Sequence, residues 1–410
     1  MLRVYKFGGA SVKDAKGVQN LAEIVKNDSS EQLIIVISAM GKTTNDLTSI
    51  VKQKLGGQNF EILTKSVIDH HRKISDQLLG YVPGEQTVLE DELVTALGEE
   101  ATDELAFQDR IIAFGELLST TIIAKYLNTN WVDARDYIRT DACFTEAEVD
   151  WGKTEKLIAR DFPDLLKHGA IVTQGFIAGN DHGQTTTLGR EGSDFSGAIF
   201  ASILKAASLT VWKDVPGLLN ADPKIFPEAE KFDHVSYQEV IEMTYYGAKV
   251  IHPKTIHPLA KGGIPLFVKS FLQPDYSGTE ISEDKKTSTK TCFIFKENQL
   301  LVSARVKDNS FMDERKMSAI LNALNGTNVK ANLIHNSALT FTFCMDDNEK
   351  KRERIIDQLN EDFQVLYNTG LSLATIKNYQ EGSFEMLPKG IEIIIEEKSR
   401  SNYQVVYRVK

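Results

Sequence analysis

Cysteine is scarce in this chain of 410 residues. Cys143, Cys292 and Cys344 are odd in number and form no C-x-x-C spacing, which excludes a disulfide framework and leaves no cysteine zinc site. Long apolar runs are missing as well, since none approaches the ~20 residues needed to cross a bilayer. The opening Met1-Leu2-Arg3-Val4-Tyr5-Lys6 lacks the apolar core of a secretion signal, so the chain reads as cytoplasmic. Nor is there an excess of positive charge. Against 57 Asp and Glu stand 47 Lys and Arg, a net charge of −10, which argues against a general nucleic-acid or anionic-membrane surface and leaves room for a small basic pocket. The close histidines, His70-His71 and His252 with His257, lack the i, i+4 spacing of a zinc pair on a helix, so no metal ligand is assigned. Gly41-Lys42-Thr43 is not a P-loop either, because the upstream glycine of that motif is replaced by Val36.

What is present begins at the N-terminus. Leu2–Phe7 is apolar enough for a buried strand, and residues 14–27 carry Val18, Leu21, Ala22 and Val25 at helical spacing. Between them lies Lys6-Phe7-Gly8-Gly9-Ala10-Ser11, a lysine at a strand end followed by paired glycines. Without a Cβ the main chain can approach a phosphate closely, and a helix start adds about half a positive charge. Lys6 adds a whole one. A second strand, Gln32–Ile37, opens into Ser38-Ala39-Met40-Gly41-Lys42-Thr43-Thr44-Asn45. Ser38 and Thr44 there offer hydroxyls where open α/β sheets bind ligands, although helix capping explains both equally well. Residues 60–128 read as a helical layer. Within it, Phe114-Gly115-Glu116 sets a carboxylate in an apolar stretch, where it needs either a structural Lys or Arg or the ammonium group of a ligand.

Another strand at Ile171–Gln174 is followed by a polar hairpin and then by Leu188-Gly189-Arg190-Glu191-Gly192-Ser193-Asp194, which enters a helix at residue 195. Ser193 or Asp194 suits the cap, while the glycines leave Arg190 free to grip a carboxylate or phosphate with both arms. A strand at 209–212 runs into the turn-rich loop 213–224, and the helix Tyr237–Tyr246 precedes Gly247-Ala248-Lys249-Val250. Strands alternating with helices over residues 1–285 predict a three-layer α/β sandwich with a largely parallel sheet. A short lysine-rich run at 282–291 reads as a linker. Beyond it the order is strand 299–306, helix 315–324, strands 329–336 and 338–345, and helix 349–359, an α+β ferredoxin-like arrangement. Three further strands at 371–377, 391–397 and 404–409 have almost no helix between them.

In their order these motifs resemble the aspartate kinase family of the amino-acid kinase superfamily. Lys6-Phe7-Gly8-Gly9, Ser38-Ala39-Met40-Gly41, Phe114-Gly115-Glu116, Leu188-Gly189-Arg190 with Gly192-Ser193-Asp194, Asp214-Val215-Pro216-Gly217, Asp222-Pro223 and Gly247-Ala248-Lys249-Val250 with His252-Pro253 together carry the resemblance over essentially the whole chain. It implies an amino-acid kinase catalytic domain at 1–285 and an ACT regulatory region at 292–410. That region divides into a first module at 292–370 and a second at 371–410, truncated because 378–390 is too short and too broken by Gly382, Pro388 and Gly390 for a packed helix. It further implies a monofunctional enzyme that transfers the γ-phosphoryl group of ATP to the side-chain carboxylate of L-aspartate, the first step toward lysine, threonine and methionine, with Mg²⁺ bridging the nucleotide phosphates.

By the same resemblance Lys6 and Asp194 are catalytic. Ser38, Thr44, Glu116, Arg190 and Ser193 hold the amino acid. Lys6, Phe7, Gly8, Gly9, Lys213, Asp214, Leu219, Asp222, Lys224, Lys249 and Val250 form the nucleotide side. The chain departs from the commoner pattern at Ala10, where Thr or Ser is usual, at Glu191, where a glycine is usual, and at Lys213, Leu219 and Lys224. The implied assembly is a homodimer or a dimer of dimers, and neither nucleic acid nor membrane is implied as a partner. The alternatives are another kinase of the superfamily or a catalytically weak amino-acid sensor.

Overall fold

The computed structural model describes residues 1–248, 251–283, 290–308 and 310–409. Most of the expected linker, together with Lys249 and Val250, therefore lies outside the described residues. Two compact units emerge, and the chain does not pass from one to the other at a single point. The first comprises Met1–Leu218, Lys231–Ile241 and Val250–Thr287; the second comprises Leu219–Glu230, Glu242–Lys249 and Ser288–Lys410.

The first unit is built on an eight-stranded sheet. Its spatial order is Asn130–Val132, Ile171–Gln174, Gln32–Ile37, Leu2–Phe7, Ser208–Lys213, Leu266–Ser270, Thr279–Ser282, His234–Ser236, and all neighbouring pairs are parallel except Leu266–Ser270 with Thr279–Ser282. Central strands of such a sheet are covered on both faces, which is why Leu33 to Ile37 and Val4 to Phe7 are all buried rather than alternating. Tyr5, Phe7, Ile35 and Ile37 pack in one cluster with Val18 and Leu21 of the helix Ala15–Lys26 and with Ile122 and Ile123 of Phe114–Leu127. Lys6 points to the other face, where Gly197 of the helix Gly192–Ile203 approaches its Cβ. The expected layer at 60–128 consists of four helices, Glu61–Leu79, Gly84–Gly98, Glu104–Ile112 and Phe114–Leu127.

The opening strand has Gln32–Ile37 on one side and Ser208–Lys213 on the other. The chain thus departs in opposite directions from its C-terminal end. That is the topological switch point at which open α/β sheets leave a crevice for ligands.

The second unit holds a six-stranded sheet, ordered Ala331–Asn336, Thr340–Asp346, Cys292–Val306, Phe363–Lys377, Asn402–Val409, Ile391–Lys398, with antiparallel pairing throughout. Here the expected division at residue 370 needs correction, because it falls inside a strand. Cys292–Val306 and Phe363–Lys377 are each 15 residues long and pair along their whole length, with register shifts between Lys296 and Leu301. The polar Lys296-Glu297-Asn298, with Asn298 at φ 53°, hides that continuity in the sequence. Helices Glu314–Gly326 and Glu349–Asn360 cover one face of the first half through Ile320, Leu324, Ile355 and Leu359. Among the described residues, 378–390 contains a single 3-10 turn, Ser383–Met386. One face of the other half of the sheet, which has no such helices among the described residues, is covered instead by 219–230. Ala221, Phe226 and Ala229 pack with Phe293, Ile376, Tyr403 and Val405, and Phe226 stacks on Phe293 with ring centres 5.4 Å apart.

Candidate active site

A cavity of about 450 Å³ opens at the switch point, lined by Lys6 and 8–11 after the strand Leu2–Phe7, by the 38–45 turn after Gln32–Ile37, by 212–214 at the end of Ser208–Lys213, and by Glu116, Gly189 and 191–194. The two glycine turns meet back to back at its base. Gly41 N–H donates to Gly9 O at 3.0 Å, and a Cβ on Gly9 would lie 2.7 Å from Ala39 O, a distance no side chain tolerates. Gly115 closes the same corner, since a Cβ there would meet Ala39 Cβ at 2.8 Å. These contacts bring Glu116 beside the 38–41 turn.

Lys6 and Asp194 form an ion pair of 2.6 Å, with both side chains nearly buried, and Lys213 Nζ stands 3.5 Å from the other carboxylate oxygen. Burial works to raise the Asp194 carboxyl, but the two ammonium groups outweigh it and hold it below the ordinary range. Asp194 occupies the first turn of Gly192–Ile203, where a negative charge is also favoured by the helix dipole. A carboxylate shared by two lysines orients both without cancelling them, leaving net positive charge for an anion.

Glu116 presents the opposite case. Its Oε1 accepts the Ala39 main-chain N–H at 3.1 Å, while Oε2 is buried without a partner. No ion pair reaches it among the described residues. Burial pushes its carboxyl up to about 8, against the downward pull of the Ala39 N–H and of Lys6. Of the two partners the sequence allowed, a structural cation is therefore not present among the described residues, and the unpaired oxygen beside the cavity suits a ligand ammonium.

The structure gathers Lys6, Gly8, Gly9, Ser38, Thr44, Glu116, Ser193, Asp194, Lys213 and Asp214 around this one cavity. Phe7 is a correction: its ring is fully buried on the far side of the strand, stacked on Trp212 at 5.8 Å, so it packs the core and does not face the cavity. Arg190 is exposed and outside the cavity lining, although its neighbours Gly189 and Glu191 contribute to it. Leu219, Asp222 and Lys224 belong to the second unit, where Asp222 Oδ1 accepts the Lys224 N–H at 2.9 Å in a local turn. Lining residues that the sequence did not single out include Ser11, Lys42, Asn45, Phe176 and Trp212. Lys42 and Asn45 share the polar run that gave Ser38 and Thr44, which was the available signal; Phe176 and Trp212, being aromatic, carried no such polar signal.

The departures from the family pattern also find places. Lys213 supplies the second cation on Asp194. Glu191 adopts the left-handed conformation, φ 54° and ψ 25°, which favours glycine by roughly 1–2 kcal/mol. Its carboxylate accepts the His252 main-chain N–H at 2.8 Å.

The amino acid kinase family model matches residues 1–270. The lysine-sensitive aspartokinase 3 of Escherichia coli (strain K12) is 32% identical over 358 residues, which cover 84% of this chain and 78% of that one. The chloroplastic bifunctional aspartokinase/homoserine dehydrogenase of Daucus carota is 32% identical over 307 residues, 71% of this chain and 33% of that longer protein. Among solved structures, E. coli aspartokinase III in complex with aspartate and ADP (R-state) superposes with a TM-score of 0.86 at 26% identity, covering 100% of this chain and 96% of that one. A shared catalytic sheet, a shared C-terminal region and this level of identity place the chain in the amino acid kinase family, among the aspartokinases.

Proposed function

We propose that this aspartokinase transfers the γ-phosphoryl group of ATP to the side-chain carboxylate of L-aspartate, giving 4-phospho-L-aspartate and ADP. One observation carries the reading: the Lys6–Asp194–Lys213 cluster and the unpaired Oε2 of Glu116 face one cavity. The first suits a phosphoryl group in transfer, the second the ammonium group of an amino acid.

The acceptor carboxylate is already ionised at neutral pH, so no general base is needed. A P–O bond to the acceptor forms as the P–O bond to ADP breaks, and no proton moves. What the chain supplies is alignment and charge. Lys6, aimed by Asp194, neutralises charge on the transferring group, and the 8–11 turn offers main-chain groups at the same place. Glu116 anchors the acceptor through its ammonium, with Ser38, Thr44 and Ser193 on the surrounding wall. Arg190 takes the α-carboxylate by moving toward a cavity that it flanks in sequence. The nucleotide side is formed by Lys213 and Asp214.

Mg²⁺ fits this site as a guest of the nucleotide. Both oxygens of Asp194 already face lysines, so the ion would be held chiefly by phosphate oxygens, and once bound it would supply further neutralisation of their charge. The protein works in the cytoplasm on small molecules. Measuring ADP release with aspartate, glutamate and N-acetylglutamate tests the assignment. Turnover with aspartate alone is expected, and faster turnover with either alternative would replace the proposed acceptor.

A further inference from the structure

Glu191 stands where the family pattern has a glycine, and its main chain keeps the conformation that favours one. Its side chain makes a contact that glycine cannot. Oε2 accepts the N–H of His252, the residue preceding the helix Pro253–Gly262, so it satisfies a donor at the start of that helix. The same helix start is closed a second time by His252 itself, whose Nδ1 accepts the Lys254 N–H at 3.2 Å.

Both ends of this tie are held. Glu191 is the cap of Gly192–Ile203, its carbonyl accepting the N–H groups of Asp194 at 3.0 Å and Phe195 at 3.2 Å. The two helices also meet further along, where Ser202 Oγ donates to Pro258 O at 3.3 Å. Meanwhile Glu191 lies on the cavity between Gly189 and Gly192. One end of the tie is thus a turn of the active site, and the other is the start of a packed helix.

We propose that Glu191 is a positioning residue: by binding the His252 N–H it fixes the main chain of the 188–193 turn against the helix Pro253–Gly262, so that Ser193 is set for the amino-acid acceptor before it arrives and Arg190 has only its side chain to move. The proposal rests on the acceptor reading given above. In this arrangement the carboxylate is engaged by a main-chain donor and serves as a hydrogen-bond acceptor. Its negative charge is incidental to the task, which distinguishes the role from electrostatic tuning of substrate affinity.

That distinction sets the test, made on the full-length enzyme with Glu191→Gln and Glu191→Ala. The glutamine keeps an oxygen for the His252 N–H and loses the charge; the alanine loses both. Glu191→Ala is expected to raise the aspartate KM about fivefold or more, with kcat and the ATP KM within about twofold, while Glu191→Gln stays within about twofold in all three. Hydrogen–deuterium exchange of 188–193 without substrates should be faster in Glu191→Ala than in the wild type, with Glu191→Gln restoring protection. The proposal is overturned if Glu191→Ala matches the wild type in both measurements, or if Glu191→Gln shifts the aspartate KM as far as Glu191→Ala does. A wild type that releases no ADP with aspartate would overturn the acceptor reading, while the exchange comparison would still decide whether the tie holds the turn.

Discussion

Two carboxylates in one cavity are driven in opposite directions by what surrounds them, and each carries its own consequence. Asp194 is kept ionised by Lys6 and Lys213. Replacing Lys6 with Met preserves the apolar stem and leaves Lys213 to partner the aspartate, so the fold should survive. Turnover should fall by at least ~100-fold, the scale of losing one group that stabilises transition-state charge. Circular dichroism together with an ADP-release assay checks this; a folded variant with near-native kcat would remove Lys6 from the catalytic role. Glu116 is instead driven toward its neutral form, with its carboxyl raised to about 8 by burial. The folded protein therefore holds a proton that the unfolded chain has already lost, and this group lowers stability as pH rises from the ordinary carboxyl range through about 8. Binding should run the other way, because an ammonium ligand pairs with the ionised form. The aspartate KM is expected to fall as pH rises through about 8, and Glu116→Gln should abolish that slope while raising the KM. A pH-independent KM in the wild type would show that Glu116 does not pair with the acceptor.

The turns that shape the cavity depend on elements behind it. Asp109, fully buried in the helix Glu104–Ile112, accepts the main-chain N–H groups of Thr145 and Thr187 at 2.8 Å each and the Thr187 hydroxyl at 2.9 Å. Burial raises its carboxyl, and those three donors act against the rise. Thr187 leads directly into the 188–193 turn. Asp109→Ala would orphan the donors, for a loss of about 2–3 kcal/mol in urea unfolding, where Asp109→Asn should lose less because an amide oxygen still accepts. Equal losses in both would show that the hydrogen bonds are not what Asp109 contributes. None of this was legible in the sequence, where Asp109 is one acid among many in a helical stretch. The strand ends and glycine turns were legible, since Lys6, Ser38 and Asp194 mark themselves as polar residues at the edges of apolar runs and Glu116 as a carboxylate inside one. Phe7 misled because adjacency to Lys6 along a strand places it on the opposite face.

At the scale of the molecule, the alternation of strands and helices was sufficient for the parallel sheet. The C-terminal sheet was harder to read: its long strands cross a polar, irregular stretch, and Phe363–Lys377 buries only Phe363 in its first half. That sheet ends in two edge strands, Ala331–Asn336 and Ile391–Lys398, and it leaves Leu366 and Ile393 exposed. Unpaired edges of this kind are templates for another chain, so a homodimer or a dimer of dimers is expected in solution. Light scattering across a hundredfold dilution reads this directly, and a monomer at every concentration would contradict it.

The packing of 219–230 on the C-terminal sheet bears on how the protein can be divided. The linker invites a cut, and a fragment ending at residue 287 would look like a complete catalytic module. It would keep Ala221, Phe226 and Ala229 while discarding Phe293, Ile376, Tyr403 and Val405, the surface that receives them. Those side chains would then meet water, and the Asp222 and Lys224 turn between them would lose its support. Such a fragment is expected to express poorly or to precipitate, and replacing Phe226 with Ser should improve its recovery; a soluble, active 1–287 would refute this. Exchanging C-terminal regions between relatives carries the same constraint, because a graft that takes the sheet must also bring its own twelve-residue strap from the middle of the donor's other half. Inheritance in this chain follows packing rather than sequence order.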